Sequence, residues 1–97
     1  MNSLSFHVLL GLKDAPGDAE AVVLRLRELS GGNEPPIASF YRALKKELEA
    51  GHVETVTTVE GKRGRPAQTY RITSSGREAL ETEARRLGRL SRLVLSK

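Results

Sequence analysis

The residues of this chain best equipped for chemistry are basic, and their spacing suits the gripping of phosphate and the reading of a base edge. Arg42, Lys45 and Lys46 fall within one helical turn of each other, on the side away from Phe40, Leu44 and Leu48. A guanidinium matches guanine O6 and N7 in bidentate fashion, so Arg42, near the start of its helix, is the candidate base reader. Lys45 and Lys46 carry point charges and suit phosphate clamping, with ordinary solvated lysines as the alternative. Ser39, one turn before Arg42, offers a hydroxyl to a phosphate or base edge or, equally, to its own backbone. Tyr41 is expected to pack with its hydroxyl left wet, within reach of a phosphate oxygen. Further along, Gly61-Lys62-Arg63-Gly64-Arg65-Pro66 contains the Arg-Gly-Arg-Pro core of an AT-hook. In that setting Arg65 would enter a narrow A·T minor groove, where negative potential is concentrated, and Lys62 and Arg63 would add charge; an idle hairpin tip is the alternative. Arg71, Arg77 and Thr73 are placed to touch a nucleic-acid backbone, although Thr73 equally suits a helix cap.

Other chemistries lack their parts. The two histidines, His7 and His52, have no metal-ligating neighbour at helical or hairpin spacing, and there is no cysteine for a thiolate site or a disulfide. His52 is expected to be exposed and His7 to lie at a surface or interface. Asp14, Asp18 and Glu20 cluster in and beside a loop with no nucleophile or phosphate cradle, so they are read as solvated and no enzyme, metal or cofactor is expected. The charge is localised. From Pro36 to Arg77 there are eight Lys/Arg against four Asp/Glu, and the rest of the chain is balanced at eight against eight, so this block carries the whole net charge of +4. An isoelectric point near 9.9 and 29% charged residues fit a polyanionic partner. Apolar stretches such as Val8-Leu9-Leu10 are too short for a membrane span or a signal-peptide core, so no membrane role and a cytoplasmic location are expected.

These side chains must be held by something, and the hydrophobic periodicity says what. Leu4, Val8 and Leu12 sit one turn apart, with Phe6, Leu9 and Leu10 adding apolar surface on other sides of a first helix. Asp14-Ala15-Pro16-Gly17 ends it, and Asp18 caps a second helix built on Val22, Val23, Leu26 and Leu29 that stops at Gly31-Gly32; Arg25, Arg27 and Glu28 lie off that stripe and are read as solvated. After the rigid Asn33-Glu34-Pro35-Pro36 loop a third helix puts Ile37, Phe40, Tyr41, Leu44 and Leu48 on one side, and Gly51 closes it. The period then changes to two. Val53 to Glu60 and a second run with Tyr70 and Ile72 inward form one hairpin. A last helix, capped by Thr73 or by a Ser75–Glu78 capping box, runs close to the C-terminus over about 35 Å.

A 97-residue body is hardly wider than that helix, so Leu80, Ala84, Leu87, Leu90, Leu93 and Val94 cannot all be covered within one chain. A second subunit is expected, with Leu4, Phe6, Leu80, Leu87, Leu90 and Val94 at the interface. Glu78, Glu81 and Glu83 precede Arg85, Arg86, Arg89 and Arg92, so antiparallel crossing would set acidic halves against basic ones, with Glu81 pairing with Arg85 in its own helix. Gly88 costs about 1 kcal/mol relative to Ala in mid-helix, a loss that a close crossing would offset.

The predicted fold is thus mainly α with a small β-hairpin: a winged helix-turn-helix over residues 1–73 and a long C-terminal dimerisation helix over 74–97. The runs Ser39-Phe40-Tyr41-Arg42-Ala43-Leu44-Lys45-Lys46, Leu48-Glu49-Ala50-Gly51-His52-Val53, Gly64-Arg65-Pro66 and Tyr70-Arg71-Ile72-Thr73-Ser74-Ser75-Gly76-Arg77-Glu78-Ala79-Leu80 resemble the PadR family of bacterial transcriptional regulators. The likeness spans most of the chain, with a weaker echo in Leu9-Leu10-Gly11-Leu12. One departure is Asp18-Ala19-Glu20, where the family has a His-Gly-Tyr element opening helix two. The resemblance implies a dimeric repressor whose third helix enters the major groove and whose wing touches backbone or minor groove, and some family members bind small aromatic effectors near the dimer interface. Phe6 is the one ring expected at that seam, so control by an effector and control by abundance alone stay as alternatives. Two other readings remain: a winged-helix module that binds protein, and a non-specific architectural binder working through the Arg-Gly-Arg-Pro tip.

Overall fold

Each change of period in the sequence becomes a change of element. A computed structural model describes residues 1–31, 36–58 and 67–96, in the order α1 (Ser3–Leu12), α2 (Ala19–Ser30), α3 (Ile37–Glu49), β1 (Val53–Thr58), β2 (Ala67–Ile72) and α4 (Ser74–Leu95). The expected loop at Gly32-Asn33-Glu34-Pro35 and the hairpin tip from Val59 to Pro66 lie outside the described residues.

Local chemistry sets the ends. Asn2 and Asp18 cap α1 and α2 by accepting from Ser5 N and Ala21 N, each at 2.8 Å. Thr73 caps α4 by accepting from Gly76 N at 3.0 Å, so the cap is Thr73 and not the Ser75–Glu78 box. At the end of α3, Gly51 takes φ +78°, the left-handed conformation that glycine adopts without a Cβ clash. The hairpin is antiparallel, pairing Val53 with Ile72 and Thr55 with Tyr70, which turns Val53 and Ile72 into the core. A third extended segment, which alternation did not reveal because it is one residue long, joins it: Gly17 N donates to Tyr70 O at 3.1 Å and Tyr70 N to Gly17 O at 2.9 Å.

The core is one cluster. Val8, Leu9 and Leu12 of α1, Val22 and Leu26 of α2, Phe40, Ala43 and Leu44 of α3, Val53, Ile72 and Leu80 all meet in it. Helix α1 lies at the centre, in contact with α2, α3, α4 and β2, and this is why apolar residues cover several of its faces.

Three expectations are corrected here. The buried stripe of α3 is Phe40, Ala43, Leu44 and Glu47, not one running through Ile37 and Tyr41, which are 53% and 48% exposed. Ile37 is the first residue of its helix, and the side of α3 that is buried runs instead through Phe40, Ala43 and Leu44. Arg25 is not solvated: its guanidinium donates to the carbonyls of Gly11 (3.1 Å), Ala15 (2.7 Å) and Pro16 (2.8 Å), clamping the α1–α2 loop. The acid–base pair of α4 joins Glu83 to Arg86, at 2.6 Å and 2.9 Å, in place of Glu81 to Arg85.

Helix α4 divides in two. Gly76, Leu80 and Glu83 are buried against the body, whereas exposure rises through Leu87 (39%) and Leu90 (44%) to Leu93 and Val94 at 75% and 81%. The molecule measures 58 × 28 × 21 Å, as expected of a body from which a helix projects.

Candidate nucleic-acid interface

Burying one side of α3 against α1 forces the other side out, and this other side carries the charge. Arg42, Lys45 and Lys46 are all exposed, while Phe40 and Leu44, their neighbours in sequence, are 1% and 3% exposed. Ser39 is half-buried. It shares a shallow groove with Arg42, Ala43 and Lys46 of α3 and Asn2 and Leu4 of α1. Three of the expected contact residues therefore line one concave surface, with Lys45 displaced around the helix. Arg42 and Lys46 make the groove cationic, over an apolar floor to which Leu4 and Ala43 contribute.

The remaining sequence-selected residues divide. Tyr41 is half exposed and meets Phe40 edge-on, with ring centroids 6.0 Å apart, so the ring packs while the phenol stays at the surface. Its phenol also lies close enough to the hairpin to act on Tyr70, whose own phenol is pushed above its ordinary value by burial and, secondarily, by Tyr41. Helix α3 also packs against β1. Arg71 is exposed but engaged: its Nε and Nη2 meet Glu54 Oε1 across the strands at 2.7 Å and 2.5 Å. A surface pair of this kind contributes about 0.2–1 kcal/mol, little enough for a phosphate to compete with Glu54 for the guanidinium. Arg77 is fastened to the body, donating through Nη2 to Lys13 O at 3.0 Å. Lys62, Arg63 and Arg65 lie outside the described residues.

Of the residues assigned to a subunit interface, Leu87, Leu90 and Val94 are bare, and Phe6 is half-buried against the core. Leu4 packs beside the core and borders the groove of Ser39 and Arg42. Leu80 is 5% exposed within its own chain and belongs to the core, because it falls on the part of α4 that the body still covers.

Sequence reasoning missed a polar pair next to the interface. Glu47, on the buried side of α3 and 4% exposed, accepts from His52 Nδ1 at 2.6 Å; His52 is accordingly half-buried and not the exposed residue expected. The signal was present: a Glu at a stripe position, five residues before a His just past the helix stop. Among the described residues no group of three or more His, Cys, Asp or Glu is placed to hold a metal ion, and no helix is long and apolar enough to cross a membrane.

Three helices, a two-stranded wing and an outward basic face on the third helix define a winged helix-turn-helix with an appended C-terminal helix. Solved structures of this fold include a PadR family transcription regulator from Clostridium difficile R20291, with a TM-score of 0.82 at 15% identity over 95% of this chain and 94% of that one. A PadR-like transcription factor from Bacteroides fragilis gives 0.79 at 20% identity, covering 94% and 85%. Bacillus subtilis PadR in complex with operator DNA gives 0.74 at 22% identity over 87% of this chain and 48% of that one. The PadR likeness seen in the sequence thus extends to the fold. No protein-family model matches the chain, and no curated protein matches it.

Proposed function

We propose that this chain is a PadR-like regulator of transcription that binds double-stranded DNA as a homodimer, with α3 in the major groove and the wing on backbone or minor groove. The observation carrying this reading is the outward face of α3: Arg42, Lys45 and Lys46 are all exposed, in a fold that one similar protein uses in a complex with operator DNA. On this reading Arg42 reads a base. Ser39, Tyr41, Lys45 and Lys46 hold phosphate or sugar, Arg71 exchanges Glu54 for phosphate, and Lys62, Arg63 and Arg65 extend the grip from the wing.

Residues 1–73 form the reading unit and 74–97 the pairing helix, with Leu87, Leu90 and Val94 covered by a second copy. Phe6 borders the seam, where a small aromatic effector would bind if the protein takes one. Two recognition helices carried about 34–36 Å apart match successive major grooves on one side of the duplex, so the operator would be pseudo-palindromic. Occupying such a site blocks a promoter, which makes the protein a repressor acting among cytoplasmic DNA.

The test is selection of bound duplexes from a random pool at two salt concentrations, with the mass of the free protein measured alongside. The expected result is an inverted repeat, with the slope of log K against log salt growing by about 0.9 for each phosphate contacted. Arg42→Ala should relax preference at one base pair by about 1–3 kcal/mol, while Lys45→Ala weakens all sequences alike. Salt-insensitive or absent duplex binding would favour a protein-interaction module. Equal affinity for unrelated A·T-rich duplexes would favour an architectural binder.

A further inference from the structure

In a two-fold dimer the distance and angle between two reading helices depend on how each is mounted on the helix that pairs the subunits. Here the mount is a single turn. At the end of α3 the carbonyl of Gly51 accepts from Thr73 Oγ1 at 2.7 Å and Ser75 Oγ at 3.3 Å, and the carbonyl of His52 accepts from Thr73 N at 3.0 Å. The first turn of α4 therefore rests directly on the turn that follows α3. The fit is close: a Cβ on Gly76 would come within 2.0 Å of His52 O.

What holds that turn in place is polar and largely buried. His52 donates its backbone N–H to Glu47 O at 3.0 Å and its Nδ1–H to Glu47 Oε2 at 2.6 Å. The Glu47 side chain is 5% exposed and that of His52 28%. An apolar side chain is the default at such a helix position, and a buried carboxylate adds little stability over a hydrophobic residue of similar volume. What a paired buried carboxylate supplies is direction: it is satisfied only while His52 stays in one place, as single buried polar residues fix register in helical assemblies.

We infer that Glu47 and His52 are positioning residues. Their bond fixes the turn at 50–52, and through it the angle between α3 and α4, and so the spacing of half-sites that a dimer accepts. This rests on the reading of the protein as a DNA-binding dimer. Neither residue is assigned a contact with DNA, and each acts through the helix it holds.

The experiment uses the full chain and the duplex that the wild-type protein selects from a random pool, with one or two base pairs inserted or deleted between its half-sites. Each base pair rotates one half-site by roughly 35° relative to the other. Wild-type affinity should fall about five- to tenfold per base pair changed, a coupling of ordinary size between two sites. His52→Ala and Glu47→Met should cut that penalty to about twofold while leaving affinity for a single half-site unchanged. His52→Gln, whose amide still donates to Glu47, should restore it.

Glu47→Met keeps the core filled, so it decides the matter if His52→Ala fails to fold. A folded Glu47→Met protein that keeps the wild-type spacing penalty overturns the inference, as does one that loses single half-site affinity in equal measure. Wild-type protein that binds no duplex would instead remove the functional reading beneath it.

Discussion

The two halves of α4 belong to one unbroken helix and meet opposite fates. In the first half Gly76, Leu80 and Glu83 are buried; in the second Leu87, Leu90, Leu93, Val94 and Leu95 are 39% to 81% exposed. Helical propensity does not separate them, because one continuous helix contains both. What separates them is whether a neighbour lies alongside: α1 and the turn at Gly51–His52 reach the first half, while the apolar side chains of the second half stay exposed. A run of exposed apolar side chains on one face marks an interaction site more often than a scatter of them does. The contrast shows where the free chain is self-sufficient and where the proposed partner begins.

The same substitution should therefore act differently in the two halves. The largest effect is expected from Gly76→Ala, whose new methyl would stand 2.0 Å from His52 O, a backbone atom that cannot turn aside. A loss on the order of 3 kcal/mol follows, which in a domain of this size lowers the melting temperature by more than about 10 °C. A melting temperature within two or three degrees of wild type would mean that the α3–α4 junction is looser than its geometry. Next in size is Leu80→Ala, expected to cost about 2–3 kcal/mol in urea unfolding because it opens a cavity at the edge of the core. Leu93→Ala should change the unfolding free energy of the isolated chain by less than about 0.5 kcal/mol and act instead on the proposed dimer, weakening association in sedimentation. Equal costs at Leu80 and Leu93 would erase the distinction between the halves.

How far the sequence foretold this depends on whether a feature is periodic. The helices, the two arms of the hairpin and the bare end of α4 follow from spacings of 3.6 and 2 and from a helix longer than its body, all of which a single chain displays. The direction of Arg42, Lys45 and Lys46 was legible for the same reason: once Phe40 and Leu44 face inward, those three cannot. Contacts between residues distant in the chain were not legible. Arg25 binding three loop carbonyls, Gly17 bridging to Tyr70 and Arg71 engaged by Glu54 each depend on a fold already assembled. Glu47 escaped notice for a chemical reason, since a carboxylate does not mark a buried position until its partner is seen. Leu80 was assigned to the subunit seam because the point at which the body stops covering α4 is a tertiary property.

Gly88 offers a two-sided test in the second half. A Cβ there would meet nothing within 4 Å. Gly88→Ala should therefore stabilise the isolated helix by about 1 kcal/mol through propensity. If a partner helix crosses closely at this position, the same methyl weakens association, so melting at low protein concentration and the dimer dissociation constant should both rise. A dissociation constant left unchanged would place the crossing elsewhere on α4.

The smallest effect expected lies at the border between the halves, at Glu83, the last buried residue of the helix. Arg86 donates two hydrogen bonds to its carboxylate, at 2.6 Å and 2.9 Å. That hydrogen bonding holds the carboxyl below its ordinary value; burial pushes the other way and is outweighed, and the charge of Arg86 adds to the lowering. The guanidinium is raised in turn by the same pairing. As pH falls, the unfolded chain takes up this proton first, at about pH 4.3, while the folded chain resists it. The contribution to stability is therefore complete above about pH 5 and disappears as pH drops through the folded value. Glu83→Gln removes that dependence. The variant should be less stable than wild type at neutral pH, where Arg86 loses its carboxylate, and the gap in urea midpoint should narrow as the pH is lowered and Glu83 takes up its proton. A gap of the same size at both pH values would mean that the Glu83–Arg86 pair, although formed, does not help to anchor α4 where it leaves the body.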